Sequence, residues 1–144
     1  MQQVLFICVG NSSRSQMAEA FFNYLAQGRP DLSGVSAGTE PARAVDSNAV
    51  AVMAELGIDM SGQSPKLLTS EMVDSATRVI SMGCGVQESC PAWARPDEDW
   101  GLDDTKHQPV EVVRRIRDQI RARVEALVRE LVGDNGDSAR RSRR

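Results

Sequence analysis

The chain has 144 residues, 41% apolar and 26% charged, the balance of one ordinary globular domain long enough to bury a full core. It contains no run of about 18 apolar residues, and its start, MQQVLFICVGN, lacks the basic and long apolar stretches of a secretory signal, so neither a membrane span nor export is expected and a cytoplasmic location is. Net charge is −3, but four of the 17 basic residues lie in the last six, ARRSRR; the other 13 against 20 acidic residues leave a body at −7, which disfavours nucleic acid as a partner.

In chain order, Val4-Leu5-Phe6-Ile7 is an unbroken apolar run, which fits a strand covered on both faces. After the polar stretch Asn11 to Arg14, Met17, Ala18, Phe21, Phe22 and Leu25 recur at helical spacing until Gly28-Arg29-Pro30 stops them. Leu32 to Ala37 reads as a second strand closed by Gly38. Ser47 to Leu56 reads as a second helix, with Gly57 placed for a left-handed C-cap. A third helix is predicted over Thr69 to Ala76, a strand over Arg78 to Met82, a loop over Gly83 to Pro96, and a short strand around Trp100. Val113, Ile116, Ile120, Val124, Leu127 and Leu131, spaced 3, 4, 4, 3 and 4 apart, form the apolar stripe of a last helix closed by Gly133. Strands alternating with helices predict an α/β domain: a single three-layer sandwich with a central four-stranded parallel sheet flanked by helices. Residues 1–133 are expected to form it, and 134–144 a disordered basic tail.

The segment Cys8-Val9-Gly10-Asn11-Ser12-Ser13-Arg14-Ser15 lies between the first strand and the first helix, where parallel sheets place ligand sites. Backbone N–H groups of a tight loop at a helix N-terminus cradle an anion, here along Val9 to Ser15. Arg14 adds a planar guanidinium able to grip two oxygens of a tetrahedral oxyanion. Cys8 opens the loop, where the field that holds an anion also favours a thiolate, and Ser15 is placed to donate a hydrogen bond to it. A thiolate beside a bound oxyanion can attack its central atom in line. The loop lacks the Gly-Lys-Ser/Thr of a nucleotide-binding loop. Cys84 and Cys90, six positions apart and just after a strand, leave redox, metal and incidental roles open, although too few partners accompany them for a metal.

CVGNSSRS resembles the C-x5-R-S loop of the low-molecular-weight protein tyrosine phosphatases and of the arsenate reductases built on their fold. Three cysteines resemble the thioredoxin-coupled branch of those reductases, and the similarity runs from the N-terminus to about Leu131. It implies arsenate as substrate, Cys8 as nucleophile, and a relay in which Cys84 attacks Cys8 and Cys90 attacks Cys84. Thioredoxin is the implied reductant, a low-molecular-weight thiol such as mycothiol an alternative, and a phosphotyrosine phosphatase the alternative activity. Against the last, the one tyrosine, Tyr24, falls in the first helix rather than beside the acid loop, and two thiols would be surplus.

Three departures stand out. Better-known members carry the middle cysteine one residue earlier, where this chain has Gly83. Trp100-Gly101-Leu102-Asp103-Asp104-Thr105 resembles the family's acid loop and implies Asp104 as general acid, with Asp103 as runner-up, but Thr105 stands where Pro is usual. Glu19 and Ser36 match positions that surround potassium in some members. Lys66 falls where an acidic ligand would be, so no metal is expected, nor any cofactor. A monomer is expected. His107 is assigned no role, and Trp93 and Trp100 are expected to pack the loop or line the mouth of the site.

Overall fold

The structure is a computed structural model describing residues 2–83 and 92–141, with side chains described from 2–83 and 93–133. Four parallel strands, β1 (Gln2–Cys8), β2 (Leu32–Gly38), β3 (Arg78–Ser81) and β4 (Glu98–Asp99), form one sheet in the order β2-β1-β3-β4. The helices are α1 (Arg14–Leu25), α2 (Ser47–Ala54), α3 (Ser70–Ser75) and α4 (Val110–Arg141), with a 3-10 turn at Ala92–Ala94. The expected four-stranded parallel sheet flanked by helices is the architecture found. Among the described residues, no helix is long and apolar enough to cross a membrane.

The flat apolar run of β1 follows from its place at the centre: Val4, Leu5, Phe6 and Ile7 are fully buried, between β2 on one side and β3 on the other. Full burial of each such side chain stabilises by roughly 1.5–3 kcal/mol. Phe6 stacks edge-on to Phe22 of α1 at 6.0 Å and tilts against Trp100 at 5.7 Å. Trp100 is therefore core rather than part of the site mouth, and Arg123 of α4 covers its ring. The chain leaves β1 towards β2 on one side and later returns to β3 on the other. The C-terminal end of β1 is thus a topological switch point, the place where such sheets open a crevice.

Helix α2 ends as its glycine implies. Gly57 takes φ +76°, its N–H bonds Ala54 O at 2.9 Å, and the Ile58 N–H returns to Met53 O at 3.1 Å while Ile58 is buried. Helix α4 does not stop at Gly133, where its end is expected, but is continuous to Arg141. Glycine inside a helix costs only about 1 kcal/mol against alanine, so it ends a helix only when the following backbone bends away. The stripe Val113, Ile116, Ile120, Val124, Leu127, Leu131 is buried as its spacing predicts, against α1 and α2.

The junction of α2 and α4 is held by charge. Glu55, at the C-terminal end of α2, stands where the helix dipole disfavours an anion. Arg114 compensates with a two-pronged bond (2.9 and 2.7 Å), and Arg117, itself buried, bonds both Glu55 (2.8 Å) and Val52 O (2.8 Å). The bonds to Arg114 first, then Arg117, hold the Glu55 carboxyl down at about 2, against an ordinary 4.5. A depressed carboxyl gives stability that is complete above the unfolded value and lost as pH falls through the folded one. Glu55→Gln is accordingly expected to lower the melting temperature at neutral pH, and the gap from wild type should close between pH 4.5 and about 2. Thermal scans across that range check it; a gap unchanged at pH 2 would contradict the assignment.

Candidate active site

Segment 8–15 leaves β1 and enters α1, and its shape is set by what happens to its carbonyls. Every one from Cys8 to Ser13 accepts a hydrogen bond. Segment 39–46, between β2 and α2, supplies four of the donors: Thr39 N–H to Cys8 O (3.2 Å), Glu40 N–H to Val9 O (2.8 Å), Ala42 N–H to Gly10 O (2.9 Å) and Asp46 N–H to Ser12 O (2.8 Å). Gln16 Nε2 bonds Asn11 O (3.0 Å), and the Met17 N–H bonds Ser13 O (2.8 Å) as the first turn of α1. With its acceptors committed elsewhere, the loop has its amides left for an anion, with the α1 dipole behind them. Gly38 makes the close approach possible: a Cβ there would lie 2.5 Å from Val9 O and 2.9 Å from the Asn11 Cβ.

Cys8 is buried at the base of this loop. Its Sγ lies 2.9 Å from Ser15 Oγ and accepts the Asn11 N–H at 3.2 Å, two contacts that fix the sulfur at the floor of the cleft. Asn11 sits in the left-handed region, φ +50°, which Asn tolerates better than most residues. Its side chain makes the strain affordable by donating to Ser15 Oγ (2.8 Å) and accepting from Gln16 Nε2 (3.0 Å) and the Lys66 N–H (2.8 Å). Because Ser15 Oγ accepts from Asn11, its own hydroxyl proton is available to the sulfur 2.9 Å away.

Arg14 is buried and pre-oriented. Its Nη1 donates to Met82 O (2.8 Å) after β3 and to Leu102 O (2.9 Å) after β4. Two carbonyls from separate strand ends hold one nitrogen, leaving the rest of the fork for a ligand. Asp104 stands at the mouth, with Oδ1 3.9 Å from Arg14 Nη2 and accepting the Lys106 N–H at 3.0 Å. These residues surround a cleft of about 800 Å³, whose lining includes Cys8, Arg14, Asp104, Thr105 and His107. Val9, Gly10, Ser12 and Ser13 share that lining, whereas Asn11 and Ser15 act from behind it and Asp103 is not part of it.

Residues 3–136 match the model of the low molecular weight phosphotyrosine protein phosphatase family. The chain belongs to that family. A Synechocystis protein named glutaredoxin arsenate reductase is 41% identical over 134 residues, covering 91% of this chain and 99% of its own. An arsenate reductase of Shouchella clausii is 36% identical over 129 residues, covering 84% and 91%. Among solved structures, an arsenate reductase in a phosphate-binding state is similar at TM-score 0.77 and 40% identity, over 90% of this chain and 98% of that one. An arginine phosphatase of Geobacillus stearothermophilus is similar at TM-score 0.82 and 26% identity, over 95% and 97%.

Within this phosphatase-family fold, the expected neighbours of the anion loop fall together. Glu19 Oε1 accepts the Ser36 hydroxyl at 2.7 Å and faces Lys66 Nζ at 3.3 Å, with the Ser64 carbonyl also near the ammonium (3.4 Å). An ammonium already balances the carboxylate, so this cluster does not fit a monovalent metal ion as well. Cys84 and Cys90 lie outside the described residues. Trp93 is exposed and, like Trp100, lines no part of the cleft. The cleft also takes in residues the sequence did not point to: His107, held at φ +62°, with Lys106, Glu40 and Asp46. Gln16 and the carbonyls of Met82 and Leu102 were equally silent, because a backbone acceptor or a helical Gln has no motif of its own.

Gly83 carries the Arg14 arrangement. At φ +87°, with a would-be Cβ 2.7 Å from Leu102 O and 2.8 Å from Leu102 N, it lets the two acceptor segments meet. Gly83→Ala should force them apart, costing roughly 1–3 kcal/mol in strain and weakening oxyanion binding. Thermal melts and phosphate calorimetry check this; wild-type stability together with wild-type phosphate affinity would contradict it.

Proposed function

We propose that this protein reduces arsenate to arsenite. The observation that carries the reading is Cys8 Sγ set between the Ser15 hydroxyl and the Asn11 amide, in one cleft with Arg14, in a chain whose relatives at 41% and 36% identity are named arsenate reductases. Arsenate binds on the cleft-facing amides of the loop from Val9 to Ser15 and on the free edge of the Arg14 guanidinium. The Cys8 thiolate attacks arsenic(V), and an oxygen leaves as water after Asp104 protonates it. Its place on the cleft favours Asp104 over Asp103. Cys84 then attacks the Cys8 sulfur. The electron pair of the sulfur–arsenic bond passes to arsenic, which leaves as arsenite and is reduced by two electrons while a Cys8–Cys84 disulfide forms. Cys90 attacks Cys84, freeing Cys8 and leaving a Cys84–Cys90 disulfide for an outside dithiol or thiol pair to reduce.

Three thiols support thioredoxin as that reductant, whereas the name of the Synechocystis relative supports glutaredoxin. NADPH consumption dependent on arsenate, measured with each coupled system and with low-molecular-weight thiols alone, separates them. Consumption with none of these would overturn the activity itself and favour a phosphatase.

The relay predicts where each variant stalls. Cys90→Ser should release one arsenite per protein and accumulate Cys8–Cys84. Cys84→Ser should form no disulfide through residue 84. The wild type treated with arsenate alone should accumulate Cys84–Cys90 and keep Cys8 open to alkylation. Mass spectrometry of trapped peptides reads all three, and repeated turnover by Cys84→Ser would refute the relay.

Lys66 also implies that no metal is used, its Nζ being the cation beside Glu19. Activity and melting temperature should be the same in potassium and sodium salts at fixed ionic strength. A rise specific to potassium would show a metal site.

A further inference from the structure

We propose that Thr105 is a positioning residue: its buried hydroxyl fixes the Ser13 hydroxyl towards a bound oxyanion and ties the acid loop, with Asp104, to the anion loop. The proposal rests on the reading of Asp104 as general acid only for its second half.

Thr105 Oγ1 donates to Ser13 Oγ at 2.8 Å, across 92 positions of sequence. Both residues are buried, at 4% and 6% exposure. Ser13 precedes the first residue of α1, where a serine ordinarily turns its oxygen onto an amide of the first helical turn. Here Ser13 makes no such capping bond; its oxygen takes the Thr105 proton instead. A hydroxyl that accepts still has one proton to give. Ser13 lines the cleft beside Cys8 and Arg14, so that proton is left for an oxygen of the anion. Thr105 to Ser13 to oxyanion is thus a directed chain of donors, in which each bond polarises the next.

The same contact locates the acid. Asp104 is 65% exposed, and its contacts are the long approach to Arg14 and the bond from the Lys106 N–H in its own loop. Upstream, Leu102 O is fixed by Arg14; downstream, Thr105 is fixed by Ser13, with Thr105 O accepting the Gln108 N–H at 3.2 Å. Asp104 sits between these anchors. Threonine lacks the ring that fixes φ in proline, and the hydroxyl bond supplies the restraint by another route.

The test uses Thr105→Val, Thr105→Ser, Ser13→Ala and the Thr105→Val/Ser13→Ala double variant, with circular dichroism to confirm folding. Phosphate affinity by calorimetry is the main readout, because it needs no arsenate reduction. Thr105→Val should weaken phosphate binding roughly tenfold, as loss of a hydrogen bond to a charged acceptor does, while Thr105→Ser stays within about twofold of wild type. The double variant should bind phosphate no more weakly than Ser13→Ala alone. In arsenate turnover, Thr105→Val and Ser13→Ala should each lower kcat as well as raise KM, because either one removes the contact that locates Asp104. A Thr105→Val protein that melts lower but keeps wild-type phosphate affinity would reduce Thr105 to a structural hydroxyl and overturn the proposal. Additive losses in the double variant would overturn it too. If Thr105→Val fails to fold, Thr105→Ser decides with Ser13→Ala: a Thr105→Ser protein binding phosphate as weakly as Ser13→Ala overturns the proposal, and one binding like wild type supports it. Absence of arsenate turnover in the wild type would count against the proposed activity and leave the phosphate result standing.

Discussion

A loop that presents its amides to an anion must put its carbonyls somewhere, and this requirement organises the whole switch-point end of the sheet. Buried backbone acceptors left unbonded are expensive, so six consecutive carbonyls from Cys8 to Ser13 need six donors. Four come from segment 39–46, which is why that segment hugs the loop and why no side chain is tolerated at Gly38, whose residue pairs with Cys8 in the sheet. The remaining two come from α1 itself. The chemistry of the cysteine depends on this arrangement before it depends on any charged side chain.

Arg14 extends the same logic to the far side of the cleft. A guanidinium buried without acceptors would be costly, and the carbonyls of Met82 and Leu102 satisfy one of its nitrogens without neutralising its charge. Because those carbonyls follow β3 and β4, the arginine makes the loop after β1, the chain after β3 and the segment that carries Asp104 parts of one hydrogen-bonded unit. The positive charge is therefore held in place by two carbonyl dipoles at hydrogen-bond distance, with the Asp104 carboxylate standing further off at 3.9 Å.

Much of this was legible in the sequence, for physical reasons that differ by residue. The flat apolar run at residues 4–7 signals a doubly covered strand because β1 really is central. The stripe from Val113 to Leu131 is visible because one face of a long helix must meet α1 and α2. Cys8, Arg14 and Ser15 are legible as a group because the proposed oxyanion chemistry calls for those side chains at that spacing, and the structure brings them to one loop. Gly133 misleads, since a glycine permits a helix end without enforcing one. Trp100 misleads as well: proximity to the acid loop in sequence says nothing of the side its ring faces, and here it faces Phe6. The carbonyls that hold Arg14, the role of Gln16 and the pairing of Thr105 with Ser13 depend on backbone geometry and on long-range contacts, which no local pattern encodes.

Segment 39–46 has little regular structure, and most of its side chains are exposed. In most proteins such a stretch frays independently of the core and exchanges its amide hydrogens quickly. Here the amides of Thr39, Glu40, Ala42 and Asp46 are bonded to the floor of the cleft. The segment cannot open without releasing the anion loop, and the loop cannot release without exposing β1 at Cys8. An irregular surface stretch is thereby drawn into the same cooperative unit as the central strand. Slow hydrogen exchange at those four amides is the signature such a unit leaves, and it ties the integrity of the cleft to the global stability of the fold rather than to the local stability of a loop.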